Sequence, residues 1–483
     1  MFYDVAIIGG GVVGASTAYW LSQEKCSVVL LEAENDVAMG TSKANSAIVH
    51  AGYDPEPGTL MARLNAEGNT LVYNLCEQFN VPVKQCGSLV LAFHEKDLAH
   101  LEKLLQRGIN NGIPGLRLLS GEETKALEPN LADNVVGSLY APTAGIVSPW
   151  ELTLALAENA AVNGVDFLFN HKVTAIRREN EAFALTTVEG KAIQARFVVN
   201  AAGVHSEEVA QMIETPSFHI RPTRGEYYLL DKSQGDIVSH VIFQCPDEKG
   251  KGVLVSPTVH GNLIVGPNAE VVEDPNDVST TAKGLLEVSE KALHSVPGLR
   301  FQENIRNFAG MRANTNVDEF QIYASTQAPG MIHLAGIKSP GLTAAPAIGK
   351  MAVELLRKEG LVLEKKEEVV QYRRKSRIKE LPKEEIRKCI EENPLYGRVI
   401  CRCESITEGE IVDAIHEPIP ARTIAGVKRR CNAGMGRCQG GFCSPRVAAI
   451  LARERNISMT QVLDDREGSF VLTGETKGGE ANG

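Results

Sequence analysis

The stretch DVAIIGGGVVGASTAYWL, Asp4 to Leu21, decides the fold of this chain. Its first five residues form an apolar run of the kind found in buried parallel strands, and its second half has the pattern of a buried helix. Between them lies GGGVVG, Gly9 to Gly14, which satisfies G-x-G-x-x-G. A second apolar run, residues 27–31, ends directly before Glu32. This order predicts a strand, a glycine turn, a helix and a second parallel strand.

Each part of this pattern has a task in binding a dinucleotide. Gly9 makes the tight turn, Gly11 lets the backbone approach a pyrophosphate, and Gly14 permits close packing of helix on strand. The first turn of the helix presents free N–H groups and a positive dipole to the phosphates. Glu32 stands 23 positions after Gly9 and can accept hydrogen bonds from a ribose. We therefore expect a Rossmann-type dinucleotide site, with an ordinary glycine-rich turn as the alternative.

Composition excludes several classes of function. The chain has 483 residues, 43% of them hydrophobic, which is enough for a sizeable core and suggests about three domains. Its formal net charge is −10 and it has no long basic run, which argues against nucleic-acid binding. No apolar stretch reaches the roughly 18 residues of a membrane span, and the N-terminus lacks a signal-peptide pattern. We expect a cytoplasmic protein, with peripheral docking to a membrane left open.

The sequence changes character at about residue 360. Strand-like and helical patterns alternate up to that point, and residues 251–267 predict two antiparallel strands around a turn at His260. Residues 364–392 contain 18 charged side chains and predict a solvated helical linker. Five of the ten cysteines then fall between positions 401 and 443. In a reducing compartment such clustering indicates metal or redox chemistry rather than disulfides.

Further motifs in the first 360 residues resemble one enzyme family. They are TSKANSAIVHAGYDPEPGTLMARLNAEGN (41–69), GIVSP (145–149), VVNAAGVHS (198–206), RPTRGEYYLL (221–230), FAGMRA (308–313) and GIKSPGLTAAPAIG (336–349). In this order they resemble the FAD-dependent oxidoreductases that include glycerol-3-phosphate dehydrogenases, L-2-hydroxyglutarate oxidases and amino-acid oxidases. The resemblance implies FAD as the dinucleotide and a mixed α/β fold, in which a Rossmann-like FAD-binding domain is interleaved with an antiparallel-sheet substrate domain.

The resemblance also implies a division of the chain. The FAD-binding parts are expected at about 1–90, 145–215 and 325–360, and the substrate domain at about 91–144 and 216–324. Beyond them we expect the charged helical linker at 361–397, a cysteine-rich module at 398–456 and a tail at 457–483.

By the same resemblance, residues beyond the glycine turn line FAD. They are Ser42, Lys43, Asn45, Ser46, Val173, Ala202, Gly203, Gly336, Ser339, Gly341, Leu342 and Thr343. Ala202 and Gly203 end a strand where a larger side chain would clash with the adenosine half. The turn at 339–343 precedes a helix, and its N–H groups can stabilise negative charge on the reduced flavin.

Substrate chemistry rests on a few polar residues. The resemblance implies that Arg312 faces the substrate pocket, and we expect it to bind an anionic substrate there, because a guanidinium binds carboxylate or phosphate with two hydrogen bonds. His50 is the candidate base that takes a proton as hydride leaves for flavin N5. Lys338 is a candidate for positive charge near the flavin, with a plain surface lysine as the alternative. The further candidate substrate contacts are Arg224, Tyr227 and His260, for which a buried ion pair, sheet packing and a turn are the alternatives.

The cysteine-rich module has one thiol more than a four-ligand site needs. Cys401 and Cys403 lie in a loop before a short helix, which a capping box at Thr407–Glu410 predicts. Cys438 and Cys443 lie in a glycine-rich loop that leads into another helix. Backbone N–H groups and the helix dipole favour thiolates there.

Helix polarity separates the fifth thiol from the others. Cys431 lies in the last turn of a predicted helix, which we expect Gly434 to stop, and the dipole at that end disfavours a thiolate. Ser444 and Pro445 are the expected N-cap and first residue of the helix that follows. The expected ligands are Cys401, Cys403, Cys438 and Cys443.

The spacing of the four cysteines indicates which kind of metal site they form. The ligands form C-x-C, 34 residues, then C-x4-C, unlike the C-x2-C pairs common in structural zinc sites. Glycines around Cys438 let N–H groups approach bridging sulfides. The module also resembles the bacterioferritin-associated-ferredoxin-like [2Fe–2S] domain found at the C-terminus of this oxidoreductase family. The resemblance implies a [2Fe–2S] cluster, with zinc and reduced structural thiols as alternatives.

These features predict an FAD-dependent dehydrogenase for a small anionic hydroxy substrate of glycerol-3-phosphate type. A [2Fe–2S] cluster passes electrons one at a time, so we expect a partner redox protein or flavoprotein subunit as the acceptor. L-2-hydroxyglutarate or another 2-hydroxy acid, and an amine or amino acid, are the alternative substrates. A non-enzymatic alternative is an electron-transfer subunit with an inactive pocket.

Overall fold

The computed structural model describes residues 2–246 and 252–474. The strands are β1 (Phe2–Ile8), β2 (Val28–Leu31), β3 (Ile48–Val49), β4 (Val83–Lys84), β5 (Ser88–Ala92), β6 (Arg117–Ser120), β7 (Gly137–Ala141), β8 (Gly145–Val147), β9 (Asp166–Leu168), β10 (Val173–Glu179), β11 (Ala182–Thr187), β12 (Ala192–Asn200), β13 (Ile220–Leu230), β14 (Val241–Gln244), β15 (Leu254–Pro257), β16 (Leu263–Gly266), β17 (Glu270–Val271), β18 (Asn304–Thr315), β19 (Gln321–Ala324), β20 (Met331–Ala335), β21 (Val399–Cys401) and β22 (Ile406–Thr407).

The α-helices cover these sheets and build the C-terminal module. They are α1 (Val12–Leu21), α2 (Leu60–Phe79), α3 (Glu95–Asn110), α4 (Gly121–Leu127), α5 (Pro149–Val162), α6 (Ser206–Gln211), α7 (Ala282–Ser295), α8 (Gly341–Lys358), α9 (Lys383–Glu392), α10 (Glu408–His416), α11 (Ile424–Cys431) and α12 (Ser444–Arg455). Among the described residues, none of these helices combines the length and the hydrophobicity that crossing a membrane requires.

The first sheet is the predicted Rossmann-like unit. Strand β1 pairs in parallel with β2 and β12, β2 pairs in parallel with β9, and β12 pairs in parallel with β20. Strands β10 and β11 extend it in antiparallel fashion. Helix α1 packs against both α5 and α8 and is buried along its length except at Trp20, as its apolar sequence predicts. The order strand, glycine turn, helix, strand is confirmed.

The second sheet is largely antiparallel, as expected for a substrate domain. Its order is β17-β13-β16-β15-β14-β5-β7-β6, and β18 pairs with β13 along nearly its whole length. The predicted pair in 251–267 is present as β15 and β16, which are antiparallel around the turn that contains His260. Because its strands come from two separate parts of the chain, this sheet is interleaved with the first one. A short sheet, β3-β8-β4, lies beside both.

The cysteine-rich module has its own hydrophobic core under α10, α11 and α12. The capping box is confirmed, because the Thr407 hydroxyl accepts from Glu410 N–H and the Glu410 carboxylate accepts from Thr407 N–H. Two local predictions need correction. Asn432, with φ of 66°, takes the left-handed position that ends α11, ahead of Gly434. Helix α12 begins at Ser444 itself, with Cys443 as its N-cap.

The prediction of a solvated helical linker at 361–397 is wrong for its first half. Residues 361–377 form no helix and run in extended form across the first domain. Side chains hold this backbone in place: Asn159 and Asn163 of α5 exchange hydrogen bonds with residues 370 and 372. Within this segment Arg374 is only 5% exposed. The sequence predicted a solvated charge at Arg374 because the acidic residues that pair with it lie far away along the chain.

Buried ion pairs join the cysteine-rich module to the first domain. The Asp36 carboxylate accepts hydrogen bonds from Arg430 at 2.9 Å and from Arg429 at 3.0 Å. Arg430 also donates to the backbone oxygens of Ile419 and Gly426. All three charged side chains are at most 7% exposed, and the arginines hold the pKa of Asp36 below its usual value although burial acts in the opposite direction.

We predict that Arg430→Met destabilises the protein by about 3 kcal/mol, because it removes one partner of a buried charge. Urea unfolding followed by tryptophan fluorescence measures this change. Arg387→Met on α9 is the control, since that side chain is 68% exposed and its replacement should cost less than about 0.5 kcal/mol. Equal effects of the two substitutions would contradict the structural role of Arg430.

Candidate functional site

The turn after β1 leaves room for a phosphate group at the start of α1. Gly9 has φ of +107°, and a Cβ added at Gly14 would lie 1.9 Å from Gly9 O, so both positions require glycine. Gly11 is the N-cap of α1, no side chain caps the helix there, and its first turn contains no acidic residue. Apart from Val12 N–H, which donates to the Ser42 hydroxyl, the N–H groups of that turn remain available to a phosphate, and the Glu32 carboxylate binds Gly10 N–H just before it.

Glu32 lies at the carboxyl end of β2, beside this turn. Its carboxylate accepts hydrogen bonds from Gly10 N–H at 2.5 Å and from Glu34 N–H at 2.9 Å. Burial raises the pKa of Glu32 to about 7. The same carboxylate thus shapes the glycine turn and stands where a ribose is expected.

Other predicted cofactor residues meet at the same edge of the sheet. Ala202 and Gly203 follow β12, whose end is joined to β1 by a hydrogen bond from Ala201 N–H to Ile8 O. Val173 starts β10, two residues after His171, whose N–H donates to Glu32 O. The structure therefore brings these segments together around the end of β1, and their contact with FAD stays a prediction.

The loop after β2 also reaches the glycine turn. The Ser42 hydroxyl accepts a hydrogen bond from Val12 N–H at 2.9 Å. Asn45 folds the loop on itself by donating to the backbone oxygens of Thr41 and Ser42. Ser46 contacts the Tyr227 hydroxyl at 3.1 Å, which carries the loop to the second sheet.

Lys43 of this loop points elsewhere. Its Nζ lies 2.7 Å from the Asp465 carboxylate in the C-terminal segment, and Asp465 also accepts from Arg429. Burial lowers the pKa of Lys43, which the Asp465 charge partly offsets. Lys43 therefore ties the loop to the cysteine-rich module in this structure, and its contact with FAD stays a prediction.

The N-terminus of α8 and His50 form a second polar site. Helix α8 starts at Gly341 with no side-chain cap and no acid in its first turn. His50 N–H donates to the Thr343 hydroxyl at 2.9 Å, and His50 Nε2 lies 3.0 Å from Ser339 Oγ. The imidazole is thus fixed next to a free helix N-terminus, where negative charge is stabilised. Gly336 and Leu342 flank these residues on the same loop and helix.

Three residues that hold His50 were not found from the sequence. Asn65 and Asn69, one turn apart on α2, both donate to His50 O. The Phe243 ring stacks on the imidazole with centroids 6.0 Å apart. A pair of buried asparagines at i and i+4 was the signal available, but the sequence does not show which backbone oxygen they contact.

The pairing of β13 with β18 separates the two candidate arginines. Arg312 of β18 lies opposite Thr223, on the same face as Tyr227, and its guanidinium covers Gly225. On this face β18 also approaches the loop after β2, because the Thr41 hydroxyl donates to Met311 O at 2.6 Å. Arg312 thus faces the side of the sheet where the expected FAD segments lie.

Arg224 lies on the opposite face of β13. Its guanidinium donates to Glu270 at 2.6 Å and to Asp277 at 2.5 Å, and its side chain is 5% exposed. This is the buried ion pair that was its structural alternative. The structure does not bring Arg224 together with Arg312 or His50, because neighbouring residues of a strand point to opposite faces.

Two more candidates have contacts away from this pocket. Lys338 forms an ion pair with Asp318. His260 stacks on Trp150 and lies 3.2 Å from both the Glu151 carboxylate and Asn432. His260 is therefore at the boundary with the cysteine-rich module rather than beside Arg312.

Four thiols of the cysteine-rich module form a chain of sulfur contacts. Cys403 Sγ lies 3.8 Å from Cys401 Sγ and 3.9 Å from Cys438 Sγ, and the Cys443 thiol contacts Cys401. Two thiolates on one tetrahedral metal with bonds of about 2.3 Å lie about 3.8 Å apart. Among residues 2–246 and 252–474, no three potential ligands converge on a single ion. These contacts connect all four expected ligands into one row of sulfurs.

Backbone N–H groups favour negative charge on two sulfurs of this row, whereas burial and the neighbouring cysteines raise the pKa of Cys403 to about 11, and hydrogen bonding to Cys401 together with burial raises that of Cys443. Hydrogen bonding from the Cys443 thiol, helped by Gly434 N–H, lowers the pKa of Cys401 to about 5. Burial opposes ionisation of Cys438, but N–H groups of the glycine-rich loop lower its pKa overall. This donor set is the one that a sulfide-bridged anionic cluster needs.

Cys431 makes none of these sulfur contacts. Its Sγ donates to Val427 O in its own helix at 3.4 Å, and burial raises its pKa to about 12. The structure thus supports the separation made by helix polarity, and the ligand set remains a prediction.

Comparison with known families gives two matches along the chain. A family described as FAD dependent oxidoreductase matches residues 4–355. A family described as BFD-like [2Fe-2S] binding domain matches residues 399–453, which contain all five clustered cysteines.

Individual proteins extend the comparison. The glycerol 3-phosphate dehydrogenase of Caloramator mitchellensis is 49% identical over 98% of this chain and 99% of its own length. The glycerol 3-phosphate oxidase of Mycoplasma genitalium is 34% identical, with 73% of this chain and 94% of that protein covered. The solved structure of dithionite-reduced L-α-glycerophosphate oxidase from Mycoplasma pneumoniae with FAD bound superposes with a TM-score of 0.73, at 34% identity over 76% of this chain and 97% of that one.

We predict that Cys431→Ser keeps the iron content of the protein, because its sulfur only contacts its own helix. Cys438→Ser should lose the cluster, because it removes one sulfur of the row. Iron analysis and the visible absorption of the purified variants measure the outcome. An equal loss of iron in both variants would show that the ligand set is wrong.

Proposed function

This chain belongs to the FAD-dependent oxidoreductase family and carries a C-terminal BFD-like [2Fe–2S] domain, and on this premise we propose that it oxidises glycerol 3-phosphate as a dehydrogenase. The full-length similarity to a glycerol 3-phosphate dehydrogenase carries the proposal, because that match includes the cysteine-rich module. The relative named as an oxidase is covered almost completely by about three quarters of this chain. The part of this chain that the oxidase does not match agrees with an electron acceptor other than oxygen.

Arg312 is the proposed anchor for the substrate phosphate. It is half-buried, and among the described residues its one side-chain hydrogen bond goes to Asn268 O at 3.2 Å, so most of its donors can turn to a ligand. Gly225 and Gly310 face each other between Arg312 and Tyr227, and their lack of a side chain lets the Arg312 guanidinium and Ala44 O of the loop after β2 lie close against this face. A bidentate contact between Arg312 and the substrate phosphate would place the carbinol carbon of the substrate farther along the same face of the sheet.

His50 is the proposed base. Its Nε2, which contacts Ser339 Oγ in this structure, would accept the hydroxyl proton of the substrate once the substrate hydroxyl replaces Ser339 as its hydrogen-bond partner. Thr343 and the two asparagines of α2 fix the His50 backbone, so the imidazole needs little rearrangement. The N-terminus of α8 stabilises negative charge that develops beside it.

The proposed cofactor contacts are those gathered at the ends of β1, β2 and β12 and at the N-terminus of α8. When bound, FAD supplies the acceptor for hydride from the substrate, and the [2Fe–2S] cluster supplies a one-electron exit to a partner protein. The protein contributes the anchor, the base and the positive helix end.

We predict that anaerobic addition of sn-glycerol 3-phosphate to the purified protein bleaches the flavin absorption at roughly 450 nm, where oxidised flavin absorbs. L-2-hydroxyglutarate and glycine, added under the same conditions, are the controls for the alternative substrate classes. Bleaching by L-2-hydroxyglutarate alone would replace the substrate assignment, and bleaching by none of the three would support an inactive pocket.

We predict that Arg312→Met lowers kcat/KM for glycerol 3-phosphate on the order of a hundredfold, mainly through KM. The loss of a charged hydrogen-bond pair of about 3 kcal/mol accounts for this change. Turnover of glycerol, which has no phosphate, is the control and should not fall. If activity toward both substrates falls equally, Arg312 serves the fold or the cofactor instead.

A further inference from the structure

The surface around the cluster cysteines is the strongest feature that the proposed function does not use. Cys401 and Cys443 are buried, Cys438 is half-buried, and Cys403 is exposed. The row of sulfurs therefore has one edge toward solvent, at Cys403 and Cys438. An electron carrier that approaches this edge needs no path through the protein.

Phe442 stands beside this edge. Its side chain is 87% exposed, the highest value among the exposed large hydrophobic residues of the described chain. The backbone of Phe442 is held beside the edge, because its N–H donates to the Cys438 sulfur. An exposed aromatic ring is the kind of residue that anchors a protein interface.

The exposed charges of residues 398–446 are all positive, and Asp231 and Glu303 from outside this range lie near Arg437. Exposed arginines surround the edge, namely Arg398, Arg402, Arg437 and Arg446. Every acidic side chain between positions 398 and 446 is buried or half-buried. Glu404, next to Cys403, is 3% exposed and paired with Lys232 and Lys379.

Two of these arginines are not neutralised. Arg437 pairs with Glu303 and Arg398 pairs with Glu408, whereas Arg402 and Arg446 have no ion-pair partner among the described residues. The whole chain has a formal net charge of −10, so this basic rim reverses the prevailing sign. An acidic protein would be repelled by most of the surface and attracted here, which orients its approach.

We propose that the rim formed by Phe442, Arg402 and Arg446 is the docking surface for an acidic one-electron carrier protein. The proposal rests on the proposed function for the origin of the electrons. Oxidation of one substrate molecule releases two electrons and two protons, so two carrier molecules are each reduced by one electron. An acidic protein is favoured over a lipid surface because one exposed ring gives a bilayer little apolar area to bind.

Two forms of one probe test the charge preference. Horse cytochrome c is basic, and succinylation of its lysines makes it acidic without replacing its haem. The holoenzyme is reduced anaerobically by light and EDTA, without substrate, and mixed with each form in a stopped-flow instrument. We expect the succinylated form to be reduced about tenfold faster at low salt, with the advantage lost near about 0.5 M salt.

Matched variants locate the surface. Arg446→Glu and Phe442→Ser should each slow reduction of succinylated cytochrome c about tenfold, with unchanged iron content and visible spectrum. Calorimetry of the two oxidised proteins should show weaker binding for the same variants, a readout independent of electron transfer. The controls are Arg177→Glu, an exposed arginine of β10 with the same change in net charge, and Val271→Ser, whose side chain is 71% exposed. Neither control should alter rate or binding.

Several outcomes would overturn the proposal. These are equal rates for the two cytochrome forms at low salt, or equal slowing by Arg177→Glu and Arg446→Glu. A third is that Phe442→Ser abolishes self-association of the protein in sedimentation without changing the rate of cytochrome reduction. That result would show that this face is a contact between copies of the chain. A fourth is loss of binding to phosphatidylglycerol vesicles in that variant, again with the rate unchanged. Because light supplies the electrons, failure of glycerol 3-phosphate to bleach the flavin would refute only the substrate assignment.

Discussion

The close approach of α1 to the turn after β1 is the constraint on which the rest of the structure depends. A single methyl group at Gly14 would lie 1.9 Å from Gly9 O, so any other residue would push the helix away. At its present distance α1 is buried between α5 and α8 and fixes how the first sheet is covered. The same approach directs the first turn of α1 to the carboxyl ends of β1, β2 and β12, where Glu32 and the loop with Ser42 meet it.

The protein uses an open helix N-terminus twice. The N-cap residues of α1 and α8 provide no side-chain cap and neither helix has an acid in its first turn, although capping would stabilise each helix by about 1 kcal/mol. At α1 the Ser42 hydroxyl occupies Val12 N–H alone. The free N–H groups instead remain available for an anion. One terminus faces the expected pyrophosphate, and the other lies beside His50, where the reaction is proposed to create negative charge. Each helix is therefore less stable than a capped helix would be, and a bound ligand would supply the missing hydrogen-bond partner.

Buried charge holds the two redox parts together. Asp36 of the first domain between Arg429 and Arg430 of the cysteine-rich module is a contact that neither part could bury alone. Breaking one partner leaves an unpaired charge in a dry environment, so the relative position of the two parts is strongly determined. A fixed arrangement suits electron transfer between centres. It also leaves the solvent edge of the cysteines, with its basic rim, as a surface of constant shape.

The sequence by itself determined the features that depend on neighbours within a few residues. The glycine turn, the antiparallel pair at 254–266, the capping box of α10 and the different positions of Cys431 and Cys438 all follow from local spacing and helix polarity. Tertiary structure alone decided which charges meet. The register of β13 and β18 put Arg312 and Arg224 on different faces, and Lys43 found Asp465 more than 400 positions away. Local patterns are set by backbone geometry, whereas the partner of a buried charge is set by which distant surfaces pack together, and that information is not carried by any one stretch of sequence.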